Sequence, residues 1–177
     1  MLRLMLLRHA KTERPEPGKR DRDRKLTKRG RGDALAVAAH MARARLVPDL
    51  VIISPARRTR ETWTLLADAF ANEPKVQNNE RIYDASAEEL ISVIGRTRGA
   101  RSLLIVGHNP SLHDLAVQLV ASGNADAREL LSEKLPTSGL VVIDLPINEW
   151  SLLQPHPQAG RLRGFVSPRL MPQPPNE

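Results

Sequence analysis

Leu2-Arg3-Leu4-Met5-Leu6-Leu7-Arg8-His9-Ala10-Lys11-Thr12 is the stretch on which the fold turns. The apolar run Leu4 to Leu7 is too short for a helix and has the character of a strand buried on both faces. It ends abruptly at Arg8-His9, a fixed cation beside an imidazole. In an open α/β sheet the carboxyl ends of the strands are where ligands bind. A guanidinium there can pair with two oxygens of one anion, which makes phosphate the first candidate. Taken alone the dipeptide is weak, and a strand running into a solvated basic loop is the simpler reading.

The chain has 177 residues, which suits one domain with a substantial core. Lys and Arg number 27 against 20 Asp and Glu, and the resulting charge of +7 favours anionic partners. Two Trp, one Tyr and two Phe are too few for a stacking platform, so nucleic acid is not expected as a partner. There is no cysteine, which excludes disulfide and thiolate chemistry. Arg3 and Arg8 interrupt the apolar start, which does not read as a signal peptide. No stretch is long enough to span a bilayer, so no membrane is expected and the expected address is the cytoplasm.

Working outward, Lys11 to Lys25 reads as a solvated, mobile basic loop, with docking of an acidic partner as the alternative. Thr27 is a candidate N-cap for a helix reaching about Arg45, with Leu35, Ala38, Ala39 and Ala42 on its apolar face. Gly30 and Gly32 in its first turns would let neighbouring backbone come close. Leu50 to Ile53 is a second buried strand. Ser54-Pro55 follows, with Pro at a first helical position and a helix running to Phe70. A short strand is expected near Val76, and a helix from Ala87 to Arg96 turns Leu90, Ile91 and Ile94 inward. Ser102 to Val106 is a third apolar strand, ending in Gly107-His108-Asn109-Pro110. The clearest helical pattern follows: Leu112, Leu115, Ala116, Leu119 and Val120. Ala127 to Lys134 reads as helix, and Leu140–Leu145 and Leu162–Val166 as strands. The proline-rich end from Pro168 should fray, leaving one domain over residues 1–170 and a tail over 171–177.

Successive strand–helix units imply right-handed crossovers and parallel pairing. Strand one ends at Arg8-His9, strand two leads into Arg57-Arg58, and strand three ends at His108-Asn109. If these strands are neighbours, two histidines and two or three arginines converge on one pocket from across the chain. A single such ending is unremarkable, but three on one edge point to a site.

These residues also carry a resemblance. Leu7-Arg8-His9-Ala10 resembles the Arg-His-Gly signature of the histidine phosphatase superfamily, the phosphoglycerate mutase-like group, with Ala in place of Gly. Ser54 to Thr62 resembles that family's Ser-x-x-x-Arg-Ala-x-Gln-Thr helix at Ser54, Arg58 and Thr62, and Val106 to Pro110 resembles its second histidine motif. Ala10, Leu26-Thr27-x-x-Gly30, Tyr83-Asp84-Ala85-Ser86 and Leu135-Pro136-Thr137-Ser138-Gly139 resemble the short SixA-like phosphohistidine phosphatase branch. The resemblance implies a three-layer α/β/α sandwich with a mostly parallel central sheet. It also implies that His9 is a nucleophile that becomes phosphorylated, that Arg8 and Arg58 clamp the phosphoryl oxygens, and that His108 is the second pocket histidine. A neutral imidazole suits nucleophilic attack near pH 7, and phosphoryl transfer asks mainly for positioning and positive charge. Two guanidiniums and an imidazolium supply that charge without a metal, and no Gly-rich phosphate loop ending in Gly-Lys-Ser/Thr is present, so no cofactor is expected.

Other residues have competing roles. Arg57 reads as an exposed helix residue or a support of the pocket. Asn109 could orient the pocket or cap the next helix, the latter being the preferred role, and Ser54 could meet the phosphate or cap its own helix. His40, His113 and His156 read as ordinary histidines, and Trp63 and Trp150 as packing. Expelling an alkoxide needs a general acid, whereas imidazole leaves phosphohistidine with little help. Asp84 is the best acid candidate, since Glu88 and Glu89 suit the dipole of the helix they open. A weak or absent acid, and no large inserted lid, favour a protein-borne phosphohistidine. Small phosphomonoesters, or a non-catalytic module for phosphorylated or nucleic-acid ligands, are the alternatives.

Overall fold

The computed structural model describes residues 1–154 and 159–171, and β1, Leu2–Arg8, lies at its centre. β1 pairs in parallel with β4, Ser102–Gly107, and antiparallel with β6, Leu140–Leu145. β2, Leu50–Ile53, lies parallel to β4 and to the short edge strand β3, Lys75–Asn78. Beyond β6, β7 (Gly160–Val166) is antiparallel to it, and β5 (Val120–Gly123) closes that edge parallel to β7. The order is β3-β2-β4-β1-β6-β7-β5 in one mixed sheet. Parallel pairing covers every contact except the two made by β6, so the sheet is mostly parallel, as expected.

The strands sort their side chains by period 2. Met5, Leu7, Val51, Ile53, Leu104 and Val106 share a core with α1 (Lys28–Arg43) and α2 (Arg57–Ala67). Leu4, Leu6, Ile52, Leu103 and Ile105 pack instead with α3 (Ala87–Gly95) and α4 (Ser111–Leu119), to which α5 (Ala125–Glu133) adds Leu131. Helices on both faces of the sheet explain why β1 is continuously apolar rather than alternating. The result is the α/β/α sandwich.

Several local readings change. The buried side of α1 is Ala34, Val37, Ala38 and Met41, whereas Leu35 is 52% exposed. In an alanine-rich helix two stripes one residue apart satisfy the same period, and the larger Val37 and Met41 win the core. Gly30 does permit close approach: a Cβ there would collide with the Lys11 carbonyl, while Gly32 faces open space. α2 begins at Arg57 with Ala56 as its N-cap, so Pro55 precedes the helix rather than opening it. Trp63 packs on Phe70 with ring centroids 6.0 Å apart, and the Trp150 indole donates to the Ala100 carbonyl at 2.7 Å. β5 had no sequence signal of its own. Pro168 to Met171 does not fray, since Leu170 and Met171 both donate to the Ser167 carbonyl and Met171 packs on the core. His156 and residues 172–177 lie outside the described residues. No helix among the described residues is long and apolar enough to cross a membrane.

The basic loop is not loose. Thr12 and Leu26 form an antiparallel bridge, Glu13 donates to the Lys25 carbonyl, and Thr27 donates to the Lys11 carbonyl. The Leu26 amide donates to Glu61 on α2, whose other oxygen accepts from Arg57. A short 3-10 turn, Asp21–Asp23, sits within this stapled loop. Its charges are mostly satisfied locally, as in Lys19–Glu16 and Arg20–Asp23.

Candidate active site

Because β1, β4 and β2 are parallel neighbours, their carboxyl ends form one rim. The Arg8 position pairs with Gly107, the His9 amide donates to the Gly107 carbonyl, and the Ser54 amide donates to the Val106 carbonyl. This register brings His9, Ser54 and His108 together. The His9 and His108 rings lie 5.4 Å apart, and both residues are 7% exposed. Arg58 joins them from the first turn of α2 and is 6% exposed.

Each imidazole is held in one tautomer. His9 Nδ1 lies 2.8 Å from the Ala10 carbonyl, which can only accept, so Nδ1 carries the proton and Nε2 carries the lone pair. His108 Nε2 lies 2.6 Å from Ser54 Oγ, while its Nδ1 is buried without a partner among the described residues. Among the described residues Ser54 Oγ has no acceptor other than that ring nitrogen within hydrogen-bond distance, so the hydroxyl donates to Nε2. His108 then presents Nδ1–H to the pocket. Burial, reinforced by Arg58 and Arg8, pushes His9 down to about 4. Burial, together with Arg58 and His9, pushes His108 down to about 3. Both rings are neutral near pH 7, so His108 supplies a neutral donor where a cation was expected.

The two guanidiniums are prepared in the same way. Arg8 Nη1 donates to the Leu135 carbonyl at 3.1 Å, and Arg58 Nη1 donates to the Asp21 carbonyl at 3.0 Å. In both, Nε is buried and unpartnered among the described residues. Nε and Nη2 share one edge of the planar group, the edge that binds two oxygens of an anion. Buried, unsatisfied donors are costly, and five orphaned groups gather here: Arg8 Nε, Arg58 Nε, His108 Nδ1, Asn109 Oδ1 and Ser138 Oγ. Four of these can donate a hydrogen bond. Burial and the nearby Arg58 charge lower the Arg8 pKa, the expected signature of cations crowded together in a buried place.

Supporting contacts fix the frame. The Ala10 amide donates to Thr62 Oγ1 at 3.0 Å, and that hydroxyl donates to the Arg58 carbonyl at 2.7 Å. The turn before β6 wraps the other side: Ser138, with a positive φ of 58°, donates its amide to the carbonyls of Arg8 and His9. Asn109 Nδ2 shares the Leu135 carbonyl with Arg8, at 2.8 Å, so Asn109 braces the pocket, and Pro110 occupies the cap position of α4. Ser54 likewise serves His108 rather than an N-cap. Arg57 is turned to Glu61 at 2.6 Å, and His113 meets the Leu131 carbonyl at 2.6 Å away from the cup. His40, on α1, also lies elsewhere.

Asp84 stands exposed in the turn after Tyr83 and is bonded to none of these groups. The carboxylate that does reach the site is Asp21, for which the sequence offered no separate signal. Its Oδ2 accepts from Tyr83 Oη at 2.6 Å and from Arg58 Nη2 at 3.1 Å, and its Oδ1 accepts from Arg24 at 2.9 Å. The Tyr83 hydroxyl, with Arg58 and Arg24, holds the Asp21 carboxyl down at about 2. Desolvation, with Asp21, raises the Tyr83 phenol. The Tyr83 ring stands edge-on to His108, 5.5 Å between centroids. Among the described residues no three His, Asp or Glu side chains cluster as metal ligands.

An α/β/α sandwich with paired histidines and arginines at the carboxyl rim of its central strands defines an enzyme that handles phosphoryl groups. The sequence model of the histidine phosphatase superfamily (branch 1) matches residues 4–90. An uncharacterized protein from Mycobacterium tuberculosis is 37% identical over 167 residues, covering 92% of this chain and all of the relative. The crystal structure of a proposed phosphohistidine phosphatase SixA from Agrobacterium tumefaciens is 32% identical, with TM-score 0.79 over 94% of this chain and 98% of that one. A protein histidine phosphatase SixA complexed with tungstate shares the fold at TM-score 0.69 and 18% identity, over 95% and 98% of the two chains. This chain belongs to the histidine phosphatase superfamily, in its SixA-like branch, and is a phosphatase.

Proposed function

We propose that the protein removes phosphate from phosphohistidine on a partner protein, through a phospho-His9 intermediate. His9 Nε2 attacks phosphorus as the P–N bond to the substrate breaks, and the substrate ring, protonated on its other nitrogen, leaves as neutral imidazole with the bond's electron pair on the departing nitrogen. Water then cleaves the P–N bond to His9, releasing inorganic phosphate and restoring the lone pair. The Nε edges of Arg8 and Arg58, with His108 Nδ1–H, bind the equatorial oxygens throughout. Ser54 and Asn109 set the posture of His108 and Arg8.

The observation that carries this reading is the bonding of Asp21, the carboxylate that contacts the cup among the described residues. Asp21, with a pKa of about 2 and three donors on it, is ionised and cannot protonate an alkoxide. Imidazole, with a conjugate acid near 6.5, leaves without such help. An open rim without a large insertion also admits a protein-borne group. Small phosphomonoesters are the second reading, with Asp84, exposed in the turn after Tyr83, as the candidate acid.

The test is paired kinetics on a phosphohistidine-bearing phosphotransfer domain and on an alkyl phosphate monoester, β-glycerophosphate, whose alkoxide leaving group needs an acid. The expected result is a kcat/KM larger by about two orders of magnitude for the phosphohistidine, the scale of one missing acid. Equal or reversed preference would favour the phosphomonoester reading, as would a severe loss of ester hydrolysis in Asp84→Asn.

A further inference from the structure

We infer that Asp21 is a positioning residue: by occupying one edge of Arg58 and receiving the Tyr83 hydroxyl, it fixes the other edge of Arg58 toward the phosphate. This rests on phosphate binding between His9, Arg8 and Arg58.

The Arg58 guanidinium is shared between its two edges. Arg58 Nη1 donates to the Asp21 main-chain carbonyl at 3.0 Å and Nη2 donates to its Oδ2 at 3.1 Å, so one residue takes the whole terminal edge. The Nε–H and the second Nη2 proton remain on the lateral edge, where Nε is buried and unpartnered. An anion can therefore add to Arg58 without displacing Asp21.

Asp21 can impose this orientation because it is itself held. Arg24 Nε reaches Oδ1 at 2.9 Å, while Arg24 Nη1 reaches Thr12 Oγ1 at 3.0 Å and the Glu13 carbonyl at 3.2 Å. The carboxylate is thereby tied to the chain leaving β1, three residues beyond His9. Tyr83 fixes its other oxygen at 2.6 Å, and the Tyr83 ring lies 5.8 Å from the Arg58 guanidinium and 5.5 Å from the His108 ring. Arg22, which stands 4.9 Å over the same ring and pairs with Glu80, holds Tyr83 from outside. Asp21 thus links the nucleophile's strand, the second histidine's neighbour and the clamp. It also gives buried Arg58 a permanent counter-charge while no phosphate is bound, and a buried cation without one is strongly disfavoured.

Two substitutions separate positioning from acid–base chemistry. In Asp21→Asn the amide oxygen can occupy the Oδ2 place, keeping the contacts to Tyr83 and Arg58 and losing only that to Arg24. In Asp21→Ala the contact of Arg58 to the main-chain carbonyl survives and the three side-chain contacts, from Arg58 Nη2, Tyr83 and Arg24, vanish. The measurements are kcat and KM on a phosphohistidine domain, inhibition by inorganic phosphate, the pH profile, and the unfolding midpoint. Asp21→Ala should lose about 10- to 100-fold in kcat/KM, with weaker phosphate inhibition, because misaligned contacts cost on that scale. Asp21→Asn should stay within about 5-fold of the native enzyme, Tyr83→Phe should fall between the two, and none should move the limbs of the pH profile. Unchanged or tighter phosphate binding in a folded Asp21→Ala would overturn the inference, the tighter case meaning that Asp21 competes with phosphate. Asn as damaging as Ala, with a pH limb lost, would make Asp21 an acid–base group instead. If Asp21→Ala fails to fold, the Asn and Phe variants decide by the same criteria. Native enzyme that neither turns over nor binds phosphate would sink the phosphatase site itself, a result distinct from these.

Discussion

Acidification is the perturbation that most directly probes the cup, because burial and the arginines disfavour protonated His9. As pH falls below about 6.5 the unfolded chain's imidazole takes up a proton, while the folded one does so only near 4. Protons therefore bind the unfolded state first, and stability is lost between about pH 6.5 and 4, the reverse of a histidine that gains a partner on folding. The separation of about 2.5 units corresponds to a limiting loss of about 3.4 kcal/mol, and to about 2 kcal/mol at pH 5 relative to pH 8. The folded carboxylate of Asp21 titrates near 2, and its unfolded form near 3.8, so it contributes little in this window. Urea unfolding at pH 8 and pH 5 should be compared for native protein and His9→Gln. Removal of His9 should flatten the pH dependence by about 2 kcal/mol, an effect within reach of a two-state fit. Equal slopes in the two proteins would refute the claim that burial and the arginines keep His9 neutral. Inorganic phosphate should reverse part of the loss, since an anion in the cup favours the imidazolium.

Three further outcomes are expected. Arg58→Ala should lower kcat/KM by about 100- to 1,000-fold, and Arg58→Lys should recover little of it, because a lysine supplies charge without the two-pronged edge; steady-state kinetics decide. Ser54→Ala should cost about 10-fold in kcat/KM by releasing the tautomer of His108, visible as a change in its ring-nitrogen shifts; an unchanged spectrum would refute the assignment. Thr62→Val should destabilise the fold by about 1–3 kcal/mol in urea unfolding, since the buried Ala10 amide loses its acceptor.

The architecture was legible where hydrophobic runs were long or periodic. β1, β2, β4 and the face of α4 stand where their residues indicated, because burial on both sides of a parallel sheet writes itself into sequence. Parallel pairing placed Arg8, His9, His108 and the Arg57-Arg58 pair on one rim, and the family resemblance singled out Arg58 of that pair. What resisted reading depended on contacts between segments far apart in the chain. Within Arg20-Asp21-Arg22-Asp23-Arg24, nothing distinguishes the acid that meets Arg58 from the one that pairs with Arg20. Ser54 was open between meeting the phosphate and capping its helix, and Asn109 between capping and orienting the pocket, whereas their contacts run to the distant partners His108 and Leu135. The loop from Lys11 to Lys25 looked solvated by composition, yet backbone pairing and Glu61 hold it against α2.

The central claim is that the phosphoryl group passes through His9. Rapid quenching of turnover with a 32P-labelled phosphohistidine domain, followed by peptide mapping at alkaline pH, tests it most directly. The account predicts an acid-labile, alkali-stable label on the peptide containing His9, formed and discharged at rates that support turnover and missing in His9→Ala. Turnover with no labelled enzyme, or with the label on another residue, would contradict it.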